Sequence, residues 1–264
     1  QGCDLVVAVG GDGTANEVAA GLLGSSTTFG LVPMGSGNGL ARTLRIPLRP
    51  DRALAALADA VPRRMDVGFL GERLFLNVAG AGFDAAVGAA FHDPSQRGTR
   101  RGIWPYVRLG ISMALRYQAA QGVLEAGDFR FEGKVLIAAF VNGRQYGAGA
   151  KLAPGARLDD GLLDVVVVED CSRLSMFLNA PRLFTGSIEA FGSYKRVRAA
   201  RAVLTFDRPV DGHRDGEPEA PVARIEARVE PRALQVLVPR ATAEDPTGPF
   251  GTDLRDLERQ GGPC

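Results

Sequence analysis

Asp12 stands in the run Gly10-Gly11-Asp12-Gly13-Thr14, between a Val-rich apolar stretch and a stretch with helical spacing at Val18, Ala19 and Leu22. Glycines in such a loop let the backbone take positive φ and approach a ligand closely. Amides at the start of the following helix then face an anion with partial positive charge. A phosphate suits this pattern. A tight strand-to-helix turn, with Asp12 as the turn former, accounts for it equally well. A second run, Gly35-Ser36-Gly37-Asn38-Gly39, follows one β–α unit later. In a parallel sheet both runs fall at the carboxyl edge of the strands, where ligands bind in open α/β sheets, and that convergence favours the phosphate reading. Neither run continues into the Gly-Lys-Ser/Thr of a Walker A loop. Leu40 stands where a dinucleotide fingerprint requires glycine.

Other chemistries are poorly supplied. Three cysteines and two histidines in 264 residues, widely spaced, argue against a disulfide framework, a Cys-based zinc site and most His-dependent triads. Lys plus Arg is 31 against 30 for Asp plus Glu, so no basic field marks a nucleic-acid binder. No apolar run approaches the ~20 residues of a membrane span, and no signal-peptide pattern opens the chain. What remains is an enzyme working with carboxylates, Mg²⁺ and backbone amides. Two later turns offer carboxylates, Asp159-Asp160-Gly161 and Asp215-Gly216-Glu217, and each reads by itself as an ordinary Asp-Gly turn.

Around these residues, strands are predicted over 4–10 and 28–33, and helices over 14–23, 40–44 and 51–60, with Thr14 as N-cap and Glu17 at the capping-box spacing. The β–loop–α order indicates an α/β layer with a parallel sheet. From Met65 the texture changes to short β runs: 66–70, 73–78, 129–131, 134–142, 163–168, 202–206, 223–229 and 233–238. Helices are predicted at 83–90, 104–118 and 174–184. The expected division is a partial α/β lobe over 1–62, a β-rich domain over 63–240 and a flexible polar tail over 241–264. In the helix over 104–118, Ile103, Val107, Ile111, Ala114 and Leu115 form one side, with Arg108, Ser112 and Arg116 opposite. That pattern reads as core on one face and water on the other. A basic amphipathic helix on an anionic membrane is the alternative.

The motifs together resemble the diacylglycerol kinase and sphingosine kinase catalytic-domain family, particularly the bacterial lipid kinases that lack membrane spans. The resemblance rests on Gly10-Gly-Asp-Gly-Thr-Ala-Asn-Glu17 with Pro33-Met-Gly-Ser-Gly-Asn38, then Asn77-Val-Ala-Gly-Ala-Gly-Phe-Asp84, Asn142-Gly-Arg-Gln-Tyr-Gly-Ala-Gly149 with Asp159-Asp-Gly-Leu-Leu-Asp164, and Asp215-Gly-Glu217. The first element alone is shared with NAD kinases and phosphofructokinases. The resemblance implies an NAD-kinase-like α/β lobe followed by a β-sandwich-like domain with inserted helices. It also implies that two βα units, about 60 residues at ~30 per unit, precede the strand at which this chain begins. It implies ATP and Mg²⁺ as cofactors, with Gly10, Gly11, Asp12, Gly13, Thr14, Asn16, Gly35, Ser36, Gly37 and Asn38 binding nucleotide. Asp12 would hold Mg²⁺, Glu217 would act as general base, and Asp215 would orient Glu217 or join the metal's outer shell. A structural Mg²⁺ would sit on Asp160 and the carbonyls of Arg157 and Leu162. Arg42 would meet a phosphate or an anionic surface, its simpler reading being a solvated helix end. Gly39 departs from the Asp that many members carry.

The expected activity is transfer of the γ-phosphoryl of ATP to a lipid hydroxyl, diacylglycerol-like or sphingosine-like, at a membrane surface. The expected location is cytoplasmic, peripheral to the inner membrane face, with a homodimer as a compatible assembly. An NAD kinase-like enzyme and a non-catalytic lipid- or nucleotide-binding scaffold are the rivals.

Overall fold

The structure is a computed structural model that describes residues 2–92, 104–146 and 149–251. The Val-rich opening forms β1 (Leu5–Gly10), which pairs in parallel with β2 (Thr28–Pro33). The crossover is α1 (Asp12–Leu22), which buries Ala15, Asn16 and Ala19. This helix starts two residues earlier than its expected cap. Gly11 is the N-cap without a side-chain bond, and Thr14 and Glu17 lie inside the helix with exposed side chains, so no capping box forms. After β2 come α2 (Gly39–Thr43) and α3 (Pro50–Ala56), the latter running into a 3₁₀ turn over Leu57–Asp59.

The strand-rich part comprises β3 (Ala60–Leu70), β4 (Arg73–Phe75), β5 (Val78–Gly82), α4 (Phe83–His92), α5 (Trp104–Arg116), β6 (Ala120–Ala126), β7 (Phe129–Val141), β8 (Leu163–Glu169), α6 (Arg173–Asn179), α7 (Arg182–Thr185), β9 (Tyr194–Ala199), β10 (Arg201–Arg214), β11 (Glu217–Pro239) and α8 (Arg240–Ala243). Strands follow the order β1-β2-β11-β10-β5-β7-β8-β9, with β3 on β11 and β6 joining β10 to β7. The architecture is α/β with a β-sandwich-like part carrying inserted helices, as expected. The last three expected β runs are pieces of two long strands, β10 of 14 residues and β11 of 23. They look separate in sequence because the ladder slips between Thr205 and Val210 and again between Glu230 and Leu234, where Arg232 takes φ +50°. The helix expected over 174–184 is two helices, parted at Pro181.

β11 ties the two parts together. Its Val236 is paired in parallel with Phe29 of β2, and its Leu234, Val236 and Val238 pack into the same core as Ala8, Phe29, Leu31, Leu40 and Leu44. The expected boundary at 62 falls within β3, whose Met65 and Val67 belong to that core too. Neither does a loose tail begin at 241: Thr242, Ala243 and Phe250 are buried, and Gly251 N–H donates to Asp159. Residues from 252 onward lie outside the described residues.

Candidate active site

The two glycine runs touch backbone to backbone. A Cβ on Gly35 would lie 2.6 Å from Gly11 Cα, so a side chain at that contact would force the runs apart. Asn38 closes the second run on itself from left-handed backbone at φ +52°, its Oδ1 accepting Gly35 N–H at 2.8 Å and its Nδ2 donating to Gly35 O at 2.6 Å. Arg42 donates from Nε to Gly37 O at 2.9 Å. Asp12, in the first turn of α1, points at the second run. Its Oδ1 lies 3.4 Å from the Leu40 N–H, and its Oδ2 would lie 3.1 Å from a Cβ on Gly37. Among the described residues Asp12 makes no ion pair, and Ser36 is exposed on the same rim.

Glu217 reaches this rim from the other end of the chain. The turn between β10 and β11 has positive φ at both central residues, +48° at Asp215 and +86° at Gly216, the mirror-type turn that twisted hairpins prefer. It aims Glu217 at the start of α1, with Oε1 2.9 Å from where a Cβ on Gly13 would stand. Between them opens a cavity of about 530 Å³ whose lining includes Gly13, Asn16, Glu17, Arg73, Arg214 and Glu217.

Asp215 is a staple. Its carboxylate accepts the N–H groups of Leu76 (2.7 Å), Asn77 (3.0 Å) and Val78 (2.7 Å), and its own N–H donates to Val78 O at 2.7 Å. Burial pushes its pKa up; the N–H donors of Val78 and Leu76 and the nearby Asn16 amide pull it down, and the charge of Asp12 adds to the rise. Asn16 stays close to Asp215 without a hydrogen bond of good geometry, so both of its amide atoms are buried and unpartnered.

Asn77 and Asn142 carry structural weight that composition alone does not reveal. Asn77 accepts the Thr43 hydroxyl at 2.8 Å and donates to Gln145 O, while Asn142 donates to Asp66 O (2.9 Å) and Leu76 O (2.8 Å). Asn77 also explains the glycine at 39. A Cβ there would lie 2.9 Å from Asn77 Nδ2, so the amide occupies the space an Asp would need.

The 157–162 turn is already closed. Asp160 Oδ1 accepts Leu162 N–H at 3.0 Å and Oδ2 pairs with Arg198. Buried Asp66, its pKa raised by desolvation, accepts Gly161 N–H and Arg232 N–H, both at 2.7 Å. Among the described residues no three Asp, Glu, His or Cys side chains gather as metal ligands. A structural Mg²⁺ at Asp160, as the resemblance implies, would have to replace Arg198 at Oδ2.

A second cavity, of about 360 Å³, lies among α4, α5, α6, α7, β7 and β8 and is lined by apolar groups such as Phe83, Ile111, Leu136, Ile137, Leu152 and Met176. Its volume is in the range of small-molecule sites. The helices around it are not simply core on one face. Ile111 and Leu115 of α5 are exposed, as are Leu174 and Leu178 of α6 at 69% and 70%. The side chains of Val107 and Arg108 lie outside the described residues. Among those residues no helix is long and apolar enough to cross a membrane.

Residues 1–70 match the diacylglycerol kinase catalytic domain, and residues 77–238 match the YegS C-terminal NAD kinase beta sandwich-like domain. A probable lipid kinase YegS-like of Pseudomonas putida is 34% identical over 245 residues, covering 90% of this chain and 78% of that protein. A protein of the same description from Pseudomonas aeruginosa is 35% identical over 240 residues, with the same coverage. In fold, the chain is similar to a putative diacylglycerol kinase of Bacillus anthracis, with a TM-score of 0.71 at 20% identity over 90% of this chain and 78% of that one.

Proposed function

Because the chain belongs to the YegS-like family of probable lipid kinases, we propose that it transfers the γ-phosphoryl of ATP to a lipid hydroxyl. One observation carries the proposal. Asp12 turns its carboxylate to the second glycine run at Gly37 and Leu40, and Glu217, from a turn some two hundred residues later, brings its carboxylate to Gly13, the next residue of α1. The amides of both runs suit the nucleotide phosphates, and Arg42, anchored through Nε on Gly37 O, has its terminal nitrogens left for an anion. Asp12, with Oδ2 unbonded among the described residues, fits a Mg²⁺ held by one carboxylate, phosphate oxygens and water. When bound, that ion neutralises charge on the transferring phosphoryl. Glu217 takes the proton of the acceptor hydroxyl as its oxygen bonds to phosphorus and the bond to the β-phosphate oxygen breaks, releasing ADP. Asn16 lines the cavity beside Glu217.

The apolar cavity favours a lipid acceptor over NAD, because a nucleotide acceptor has no use for a chamber lined by Phe83, Leu136 and Leu152. It takes the acyl chain, and the exposed leucines of α5 and α6 rest on the bilayer from which the lipid comes. The test is transfer of labelled phosphoryl from Mg²⁺-ATP to lipids in mixed micelles. Labelled phospholipid is expected. Labelled NADP without lipid product would overturn the proposal in favour of an NAD kinase, and no transfer to either would favour a scaffold. Asp12→Asn is expected to lower turnover about 10²-fold or more with little change in thermal midpoint. Gly35→Ala, which pushes against Gly11 Cα, is expected to cost about 10²-fold by misplacing the runs relative to one another. Unchanged turnover in either variant would reduce the runs to turns.

A further inference from the structure

Asp84, His213 and Tyr146 come from the first turn of α4, from β10 and from the stretch after β7, and they meet at one point. His213 Nε2 lies 3.0 Å from Asp84 Oδ2 and 3.1 Å from the Tyr146 hydroxyl, which also donates to that Asp84 oxygen. Gly80 makes the room: a Cβ there would lie 3.0 Å from Nε2 and 3.3 Å from Oδ2. The His213 and Asp84 side chains are 8% and 7% exposed, yet His213 Nδ1 and Asp84 Oδ1 are both buried without a partner. Orphaned buried atoms of this kind are rare in folded proteins and call for a bound group or water.

Their chemistry specifies what that group must be. Nε2 faces a carboxylate oxygen, where the ring proton is best placed, and with the proton there Nδ1 is left an acceptor. Asp84 Oδ1 is an acceptor as well. A partner for both must donate two hydrogen bonds. The position is equally specific. Along β5, Val78 N–H is held by Asp215, next to the Glu217 turn; Gly80 faces the cluster; and Gly82 is paired with Ile137, in the wall of the apolar cavity. Alternate residues of a strand lie about 7 Å apart on one face. Phe83, the neighbour of Asp84, lines the same cavity. The cluster therefore sits between the turn that carries Glu217 and the chamber suited to an acyl chain.

Resting on the lipid-kinase reading, we infer that Asp84, His213 and Tyr146 form the subsite for the polar part of the acceptor. It selects lipids with hydrogen-bond donors beside the reacting hydroxyl, a second hydroxyl or an ammonium group, over diacylglycerols, whose adjacent groups are ester acceptors. A site built to receive donors rejects an analogue lacking them far more strongly than an apolar pocket rejects a missing methylene.

The experiment compares a long-chain 2-amino-1,3-diol and a monoacylglycerol with a chain-matched 1,2-diacylglycerol in mixed micelles, reading both phosphoryl transfer and equilibrium binding without ATP. The expected result is kcat/KM at least about 10²-fold higher for the donor-bearing lipids. That preference should fall at least 10-fold in Asp84→Asn, through KM, with KM for ATP unchanged. His213→Gln, which keeps a donor towards Asp84 but removes the Nδ1 acceptor, should lower it too, so the inference does not depend on one variant folding. Wild-type preference for diacylglycerol, or a preference that survives both Asp84→Asn and His213→Gln, would overturn the subsite. Donor-selective binding that is lost in Asp84→Asn, with no transfer to any lipid, would uphold the subsite and refute the kinase reading. Absence of both transfer and donor-selective binding would refute both.

Discussion

Glu217→Gln is expected to lower kcat by about 10²-fold or more while leaving ATP affinity close to that of the wild type. The substitution keeps size and hydrogen-bonding reach and removes only the capacity to take a proton. Glu217 stands apart from the glycine-run amides that suit phosphate and meets them only at Gly13, where its Oε1 would lie 2.9 Å from a Cβ. If its role were to hold nucleotide, KM for ATP would rise and kcat would hold. If it were an idle hairpin carboxylate, neither would move. Titration of kcat against pH separates the cases further, since a general base imposes an acidic limb that the Gln variant lacks. A wild-type kcat in Glu217→Gln would remove the residue from the mechanism.

The parts of this site legible in the sequence are those with a local cause. The glycine runs declare themselves because a backbone contact such as Gly11 against Gly35 excludes every side chain, and β2 is bounded as its apolar pattern predicts. Glu217 was legible only through resemblance, because an Asp-Gly turn says nothing about what the hairpin faces. What stayed hidden is carried by distance along the chain. The three N–H groups that Asp215 holds lie 137 to 139 residues away, and the Asp84–His213 contact spans 129. No spacing rule sees such pairs. The long strands were hidden for another reason. Slips in the ladder near residues 205–210 and 230–234 break the alternation on which strand reading depends. The division of α6 from α7 did have a signal, Pro181, which the apolar spacing on either side outweighed. Leu115 misled in the opposite sense: its spacing reads as core, yet it is 61% exposed on α5.

The same geometry predicts opposite behaviour for the two acids of one turn, stability at Asp215 and catalysis at Glu217. Asp215→Ala removes the acceptor of three N–H groups at Leu76, Asn77 and Val78, and each buried donor left unpaired costs about 1–3 kcal/mol. Alanine at φ +48° adds about 1–2 kcal/mol of backbone strain. Relief from a buried charge beside Asp12 offsets part of this, so a net loss of several kcal/mol is expected, a fall of roughly 10 °C in thermal midpoint for a chain of this size. Asp215→Asn tolerates the left-handed backbone and keeps one acceptor oxygen, so its midpoint should lie between those of Asp215→Ala and the wild type. The pH dependence has a defined sign. Because burial raises the native pKa, what Asp215 contributes is fully present below its unfolded value near 3.8 and is lost as pH rises through the raised native value. The margin of wild type over Asp215→Asn should therefore be widest in acid and narrow towards neutrality. Glu217→Gln should leave the midpoint near that of the wild type at every pH, since no buried donor depends on Glu217. Midpoints equal to wild type in Asp215→Ala would mean that the N–H groups at 76–78 find other acceptors. The hairpin would then be free to move, and the aim of Glu217 at Gly13 would lose its support.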